Sequence, residues 1–517
     1  MKRSFKAQLL SIILITSLLI AGCTEPKPHE HTWADASCST PKHCTVCGKT
    51  EGEPLSHEWT EASVQAPKTC KLCGETVGKP LDKIIPDDHN LALELEKIPI
   101  ANKSMSEDEL RDIVVQFMKL QLTFAYTPSF EGMTSYKYYI KNLKGRYGFE
   151  GCQIPFEEGK YYGGIPYVGN ASGSVYRWLP FYDADTGVMD WTPIINSRRI
   201  NWTHSGTVYP DVSSAIFGNS CSSSCFWAWA RISNQLKSCW TSGWVPKNGY
   251  VKVGEYTLAN GDTNHGGSTK NVCNTNGVDV MYKAYASMKR ADGLVQSGHA
   301  VMIVADPVVV YNDDGSINGE KSYVCVAEQK ASFLTAAPSS GGVELYSPLN
   351  ANGTTYRIMG NYWGTVVNGV VKDMEWSFEE LYDKGFLPFT VPELIGLDPI
   401  EEAEVGFSHE GSTITMYELS AASVTSNYFI SDIHFTVKDK SGNETYIGMY
   451  ASSTEDYLDY TPTVLSNALI KNKIYSSKTY IKTELDKYMN GDYTIIITCR
   501  VSTGELLTVY TGTLISQ

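Results

Sequence analysis

Apolar positions along the chain change their spacing several times, and each change announces a different kind of structure. After Ser106 the residues Leu110, Val114, Phe117 and Met118 recur on one side of a helical wheel, and Ser106-x-x-Glu109 is a capping box, so a helix is predicted through about Phe124. A second helix is predicted over roughly 221–236, where Cys225, Ala228, Trp229, Ile232 and Leu236 make one stripe, and a third over 278–289, carried loosely by Val280, Tyr282, Ala284 and Met288. Residues 125–217, rich in Tyr, Gly and Pro, read as short strands or long loops. Apolar strands are predicted at 299–305, 307–311 and 322–329, with Asn312-Asp313-Asp314-Gly315 as turn chemistry. Ser377-x-x-Glu380 opens a short helix that Gly385 and Pro388 close. From Pro392 to Pro399 the chain reads as a boundary. Beyond about Glu402 the period falls to two, in runs at 414–417, 428–437, 446–450, 493–501 and 506–514 separated by Lys440-Ser441-Gly442-Asn443 and Ser502-Thr503-Gly504. Residues 402–517 are therefore expected to form a small antiparallel β-sandwich, with His409, His434 and Cys499 in structural roles.

The start of the chain has a different logic. Lys2, Arg3 and Lys6 precede an apolar run from Leu9 to Ile20, too short for an ordinary membrane span, and then small residues. Residues 1–22 read as a signal peptide. Ile20-Ala21-Gly22-Cys23 resembles the bacterial lipobox, which implies that Cys23 carries lipid and that the protein is extracytoplasmic, anchored to the bacterial cell membrane. Without residues 1–22 the chain keeps 40 basic and 57 acidic residues, a charge of −17 against −14 for all 517. That balance argues against a general nucleic-acid binder. The length predicts two or three domains.

Residues 23–82 hold an internal repeat. His31-Thr32-Trp33 recurs as His57-Glu58-Trp59, and Pro41, Cys44, Cys47, Gly48, Gly52 and Leu55 recur as Pro67, Cys70, Cys73, Gly74, Gly78 and Leu81, each 26 residues on. With so few apolar residues, each unit is expected to need a staple. Cys38, Cys44 and Cys47 with His31 or His57 make a Cys₃His set in the first unit. In the second, Val64 stands where Cys38 would repeat, leaving Cys70, Cys73 and a borrowed histidine. Disulfides are the competing staple, since the compartment permits them. The pattern resembles zinc-ribbon-like repeats of bacterial surface proteins, implying structural zinc in a membrane-proximal stalk. A linker is expected over 83–104, with the main domain spanning 105–395.

Seven cysteines are scattered from Cys152 to Cys499, an odd number that leaves at least one thiol free outside the cell. Two of them, Cys221 and Cys225, fall on one face of the second helix. Cys225 belongs to the apolar stripe and reads as core. Cys221 sits at the first turn, where unpaired N–H groups and the helix dipole favour a thiolate. His299, between Gly298 and an apolar strand, is the candidate base; His204 and His265 lie in polar loops. An imidazole in that role needs a partner on its second nitrogen. Glu328 supplies one, because Val324, Val326 and Glu328 share a strand face; Gln329 and Asp306 are alternatives. Ser222 beside the nucleophile, the tyrosines at 161, 162 and 167, and the Trp227–Trp244 group are candidates to line a substrate groove.

These residues resemble the NlpC-like and CHAP (cysteine, histidine-dependent amidohydrolase/peptidase) domains, bacterial relatives of papain. The family's Asp-Cys-Ser-Gly opening is matched by Ser220-Cys221-Ser222-Ser223, its Gly-His-Val strand by Gly298-His299-Ala300, and its Leu-x-x-Gly-Asp turn by Met288-Lys289-Arg290-Ala291-Asp292. Its strand ending Glu-x-Asn resembles Glu328-Gln329-Lys330, and its Gly-x-Pro-Tyr resembles Gly164-Ile165-Pro166-Tyr167. Ser220, Ser223 and Lys330 depart from the pattern, and the gap from Tyr167 to Cys221 is longer than usual. The resemblance implies an α+β papain-like core, a cysteine hydrolase acting through Cys221, His299 and Glu328 on a cell-wall peptide (peptidoglycan), and no cofactor for the chemistry. Two rival readings share these features: a surface lipoprotein of the same body that binds or supports without turnover, and a transglutaminase-like enzyme. The second is disfavoured by Ala300 after the histidine and by the Cys325–Glu328 strand.

Overall fold

The computed structural model describes residues 30–60, 67–79, 85, 87–128, 162–165, 174–190, 199–204, 207–213, 219–329, 357–358, 361–362, 364–367, 370–408, 423–450, 470–473 and 493–513. Two compact units divide the chain, residues 1–82 and 83–517. Cys23, expected to carry lipid, Tyr167, and the strand expected at 414–417 lie outside the described residues.

In the first unit each repeat is a small β-structure. Trp33–Ala34, Lys42–Cys44 and Thr50–Glu51 form one three-stranded sheet, and Lys68–Thr69 pairs with Thr76–Val77 in the second repeat. Gly48 and Gly74 close equivalent turns at φ +73° and +75°, a conformation that side chains with a Cβ rarely adopt. Among the described residues of this unit only Cys38, Cys44 and Cys70 are buried. A fold whose interior consists of thiols has no hydrophobic core to sustain it.

The second unit begins earlier than expected. Helix α1, Leu91–Lys97, is capped by Asn90, and its Leu91 and Leu95, with Ile98 and Ala101 beyond it, are buried in the main core. From Leu91 the segment expected to be a linker is thus part of the body, because four apolar residues at near-helical spacing find a face to cover. Helix α2, Glu107–Thr123, forms with the capping box realised: the Ser106 N–H donates to Glu109 (2.8 Å) and the Glu109 N–H to Ser106 Oγ (3.3 Å). It buries Leu110, Ile113, Val114, Phe117 and Met118.

Helix α3, Cys221–Trp229, is shorter than the 221–236 expected. Ile232 and Leu236 keep the period and stay buried, but the helix stops at Ala230. There the Arg231 guanidinium turns to the Pro99 carbonyl (2.9 Å) and the Tyr176 hydroxyl, and Ser233-Asn234 are poor helix formers. Helices α4 (Thr269–Asn276), α5 (Val278–Ala286) and α6 (Phe378–Lys384) follow, the last with its Ser377–Glu380 capping box and Gly385 in the left-handed region.

All these helices belong with an eight-stranded antiparallel sheet. Its strands are β1 (Val251–Lys252), β2 (Gly293–Gln296), β3 (His299–Ile303), β4 (Tyr323–Gln329), β5 (Asn361–Tyr362), β6 (Gly364–Val367), β7 (Val370–Ser377) and β8 (Leu387–Thr390). The order is β1-β8-β2-β3-β4-β7-β6, and β5 pairs with the end of β4. No strand forms at 307–311. Pro307 has no N–H to give, and only the bridges Val308–Tyr323 and Tyr311–Ile317 remain.

Beyond residue 402, strands β9 (Val405–Ser408), β10 (Ser423–Ser426) and β13 (Ile470–Lys473) make one antiparallel sheet. Strands β11 (Ile430–Lys438), β12 (Glu444–Tyr450), β14 (Thr494–Val501) and β15 (Leu506–Thr513) make another, in the order β12-β11-β14-β15. Both contribute to one core that includes Val424, Ile433, Phe435, Ile495 and Ile497, with Val405 and Phe407 packed against it. The two-sheet region is not a separate body: Phe429 sets its ring edge-on to Phe226 of α3, centroids 4.9 Å apart.

Candidate active site

Three elements bring the proposed groups together. Cys221 is the first residue of α3, His299 the first of β3, and Glu328 the second-last of β4. Helix α3 lies close on the sheet because Gly293 of β2 has no side chain. A Cβ there would fall 2.5 Å from Trp229 Cη2 and 2.7 Å from Trp244 Cζ3. The Trp229 indole N–H donates to the Ala291 carbonyl (2.8 Å) and fixes the helix along its length. The β2–β3 hairpin turns through Ser297-Gly298 with Gly298 at φ +85°, and this delivers His299 opposite Gln296.

His299 Nε2 is 2.7 Å from Glu328 Oε2, and the carboxylate is buried. That leaves Nδ1 for the Cys221 sulfur, which hydrogen-bonds the imidazole. Burial alone would push the Cys221 thiol up. The hydrogen bond and charge of His299, with backbone N–H groups of Ala300 and Ser222, reverse this and hold it below the usual thiol range. Burial likewise opposes a charged His299, yet its bonds to Cys221 and Glu328 raise it to about 9. With the thiol lowered and the imidazole raised, the imidazolium–thiolate pair is the favoured state, and it is lost as pH rises through about 9.

Cys225 is fully buried, and burial pushes its thiol well above the ordinary range. Of the pair, Cys221 is the one held closer to its thiolate form. No disulfide joins any of the described cysteines, Cys221 included. Asp306 points elsewhere, accepting the Arg290 N–H (2.8 Å). His265 bonds the Trp244 carbonyl (2.8 Å), and His434 bonds Asp432 and the Tyr446 hydroxyl (2.5 and 3.1 Å).

Behind α3 a buried polar chain was not anticipated from the sequence. Gln121 of α2 donates to the Ser224 carbonyl (3.0 Å) and accepts from Asn219 (3.1 Å). Ser224 Oγ donates to Gln329, whose amide donates to the Ile165 carbonyl (2.8 Å). Helix α2, the approach to α3, the end of β4 and the segment before Tyr167 are thereby tied together beside Glu328. The signal was present: Gln121 falls four residues after Phe117, on the apolar stripe, where a polar residue requires a partner.

The two serines that depart from the family's opening have a local use. The Ser220 N–H donates to Ser223 Oγ (2.9 Å), and the two hydroxyls bond each other (2.7 Å) at the start of α3. Ser222 sits beside the sulfur, its N–H directed to it. Trp227 does not line a groove. It is 1% exposed and packs edge-on against Phe226 in the core, as the inward stripe of a short buried helix requires.

A second chemical cluster lies in the repeats. Cys38, His57, Cys70 and Cys73 each bring a ligand atom within 4.8 Å of the others, and so do His31, Cys44 and Cys47; both sets can hold a metal ion. This corrects the grouping expected of Cys38. The register Trp33↔Cys44, Ala34↔His43 closes a hairpin whose loop carries Cys38, at the end away from the Cys44–Cys47 turn. Cys38 consequently joins the second repeat.

Among the described residues no helix is long and apolar enough to cross a membrane. Comparison with protein-family models, with curated proteins and with solved structures finds no match to this chain.

Proposed function

We propose that the protein is a thiol hydrolase that cleaves an amide through an acyl-enzyme, with a papain-like (NlpC/CHAP-type) core. The observation that carries the proposal is the buried Glu328 carboxylate 2.7 Å from the ring whose other nitrogen serves Cys221. The Cys221 thiolate attacks the carbonyl carbon, forming a C–S bond and an oxyanion. N–H groups at the start of α3, that of Cys221 included, stabilise the oxyanion. As the C–N bond breaks, the His299 imidazolium passes its proton to the leaving amine. His299, now neutral, takes a proton from water, whose oxygen attacks the thioester. The acid leaves and the thiolate returns. Glu328 holds the ring's tautomer and orientation throughout.

By the resemblance in its motifs, the substrate is a bacterial cell-wall peptide. The resemblance of Ile20-Ala21-Gly22-Cys23 to a lipobox supports a reaction outside the cell, on a lipid anchor. The ion of the repeats is taken to be zinc, since thiolate-rich sets of three or four ligands suit it best. Incubating the mature protein with purified peptidoglycan and reading new amines or fragments by mass spectrometry tests the activity. Products absent with Cys221→Ala support it; equal products from both proteins, or none from either, remove it.

A further inference from the structure

The two repeats match at His31 and His57, Cys44 and Cys70, and Cys47 and Cys73, but Cys38 stands against Val64, and the structure gives that difference a meaning. Cys38 Sγ lies 3.7 Å from Cys70 Sγ, and His57 Nδ1 lies 3.5 Å from Cys73 Sγ. Two thiolates bound to one tetrahedral zinc at about 2.3 Å are about 3.8 Å apart, and a thiolate and an imidazole nitrogen about 3.6 Å. A disulfide would need sulfurs about 2.05 Å apart. The other ring nitrogen, His57 Nε2, is directed to Glu75 at 3.4 Å, the outer partner that metal-bound histidines usually have. The Trp59 ring stacks on His57, centroids 4.8 Å apart, and limits its rotation.

Cys38 precedes Cys70 by 32 residues. The same step forward from Val64 reaches Glu96 in α1, where there is no third repeat to receive a ligand. A cysteine at 64 would thus serve no site. We propose that the repeats share a metal site, in which Cys38 of the first repeat completes a Cys₃His zinc centre with His57, Cys70 and Cys73 of the second, while His31, Cys44 and Cys47 hold a separate ion. Binding at the shared centre then joins the two repeats into one rigid segment, which two self-contained units would not be. This rests on the reading of the repeats as metal-binding, and it is independent of the hydrolase.

The test uses the reduced mature protein, zinc, and a chromophoric chelator as competitor. With Cys44→Ser/Cys47→Ser removing the first ion, adding Cys38→Ser weakens the remaining zinc by about tenfold or more. With Cys70→Ser/Cys73→Ser removing the second, adding Cys38→Ser changes the remaining affinity less than about twofold. Cobalt in the first background shows thiolate charge-transfer absorption from three sulfurs, falling to two with Cys38→Ser. Near-UV circular dichroism of the main body guards against global misfolding. Loss of affinity in the second background instead, or recovery of the shared site in Cys38→Ser/Val64→Cys, overturns the sharing but keeps metal in the repeats. Absence of bound zinc, or a Cys38–Cys70 disulfide in the native protein, overturns both.

Discussion

Glu328 Oε2 accepts a hydrogen bond from His299 Nε2 at 2.7 Å, with the carboxylate 1% and the imidazole 18% exposed. A buried negative charge so close both aligns the ring and favours its charged form. Substitution separates the two effects. Glu328→Gln keeps an acceptor at the ring but removes the charge, so the basic limb of the pH profile moves down from about 9 towards the ordinary histidine value while much of the rate survives. Glu328→Ala removes both and lowers kcat/KM by about 10²-fold or more. Equal losses in the two variants, with the basic limb unmoved, would show that the carboxylate does not act through His299.

The thiolate itself can be read without a substrate. Iodoacetamide reacts with the thiolate form, so its rate at Cys221 against pH reports the ionisation. In the native protein the rise falls below the usual thiol range, because His299 outweighs burial. In His299→Ala burial is left unopposed, and the rise moves up past that of an ordinary cysteine. Cys225 stays unlabelled throughout, held neutral by burial. A native profile with an ordinary thiol inflection would contradict the ion pair.

What was legible in the sequence was local or periodic. The Ser106 and Ser377 capping boxes depend on four adjacent residues each, and both form. Glu328 could be found because strand alternation places it on one face with Val324 and Val326, and Cys221 because a helix start is visible in the apolar stripe that follows. The length of α3 was over-read, since Ile232 and Leu236 keep their period after the helix has ended. Its end is set by Arg231 reaching Pro99 and Tyr176, distant partners that no window contains. Cys38 was grouped with its neighbours for the same reason. Hairpin register, not spacing, decides which thiols meet.

Gly293 makes the closeness of α3 and the sheet testable. In Gly293→Ala the added methyl meets the rings of Trp229 and Trp244, both fully buried and with no space to retreat. The variant is expected to lose about 1–3 kcal/mol of stability, seen as a lower denaturation midpoint. As α3 is pushed from β3, the bond of Cys221 to His299 weakens too, and iodoacetamide labelling shifts to higher pH. Unchanged stability would mean that the helix is not held at this distance.

Glu393 gives the fold a pH dependence separate from the site. It lies in the turn Pro392–Ile395, 5% exposed, and its Oε2 has no hydrogen-bond partner among the described residues. Burial raises it from its ordinary 4.5 to about 7, against opposing bonds from its own backbone, Ser233 and Asn234. With the folded value above the unfolded one, the folded state holds a proton that the unfolded state has lost, so stability falls as pH rises from about 4.5 through about 7. Glu393→Gln is neutral in both states and removes this component. Calorimetric melts at pH 5 and pH 8 should show the native protein losing more stability than the variant over that interval, by at most about 3 kcal/mol. Parallel losses in the two proteins would place the titration elsewhere.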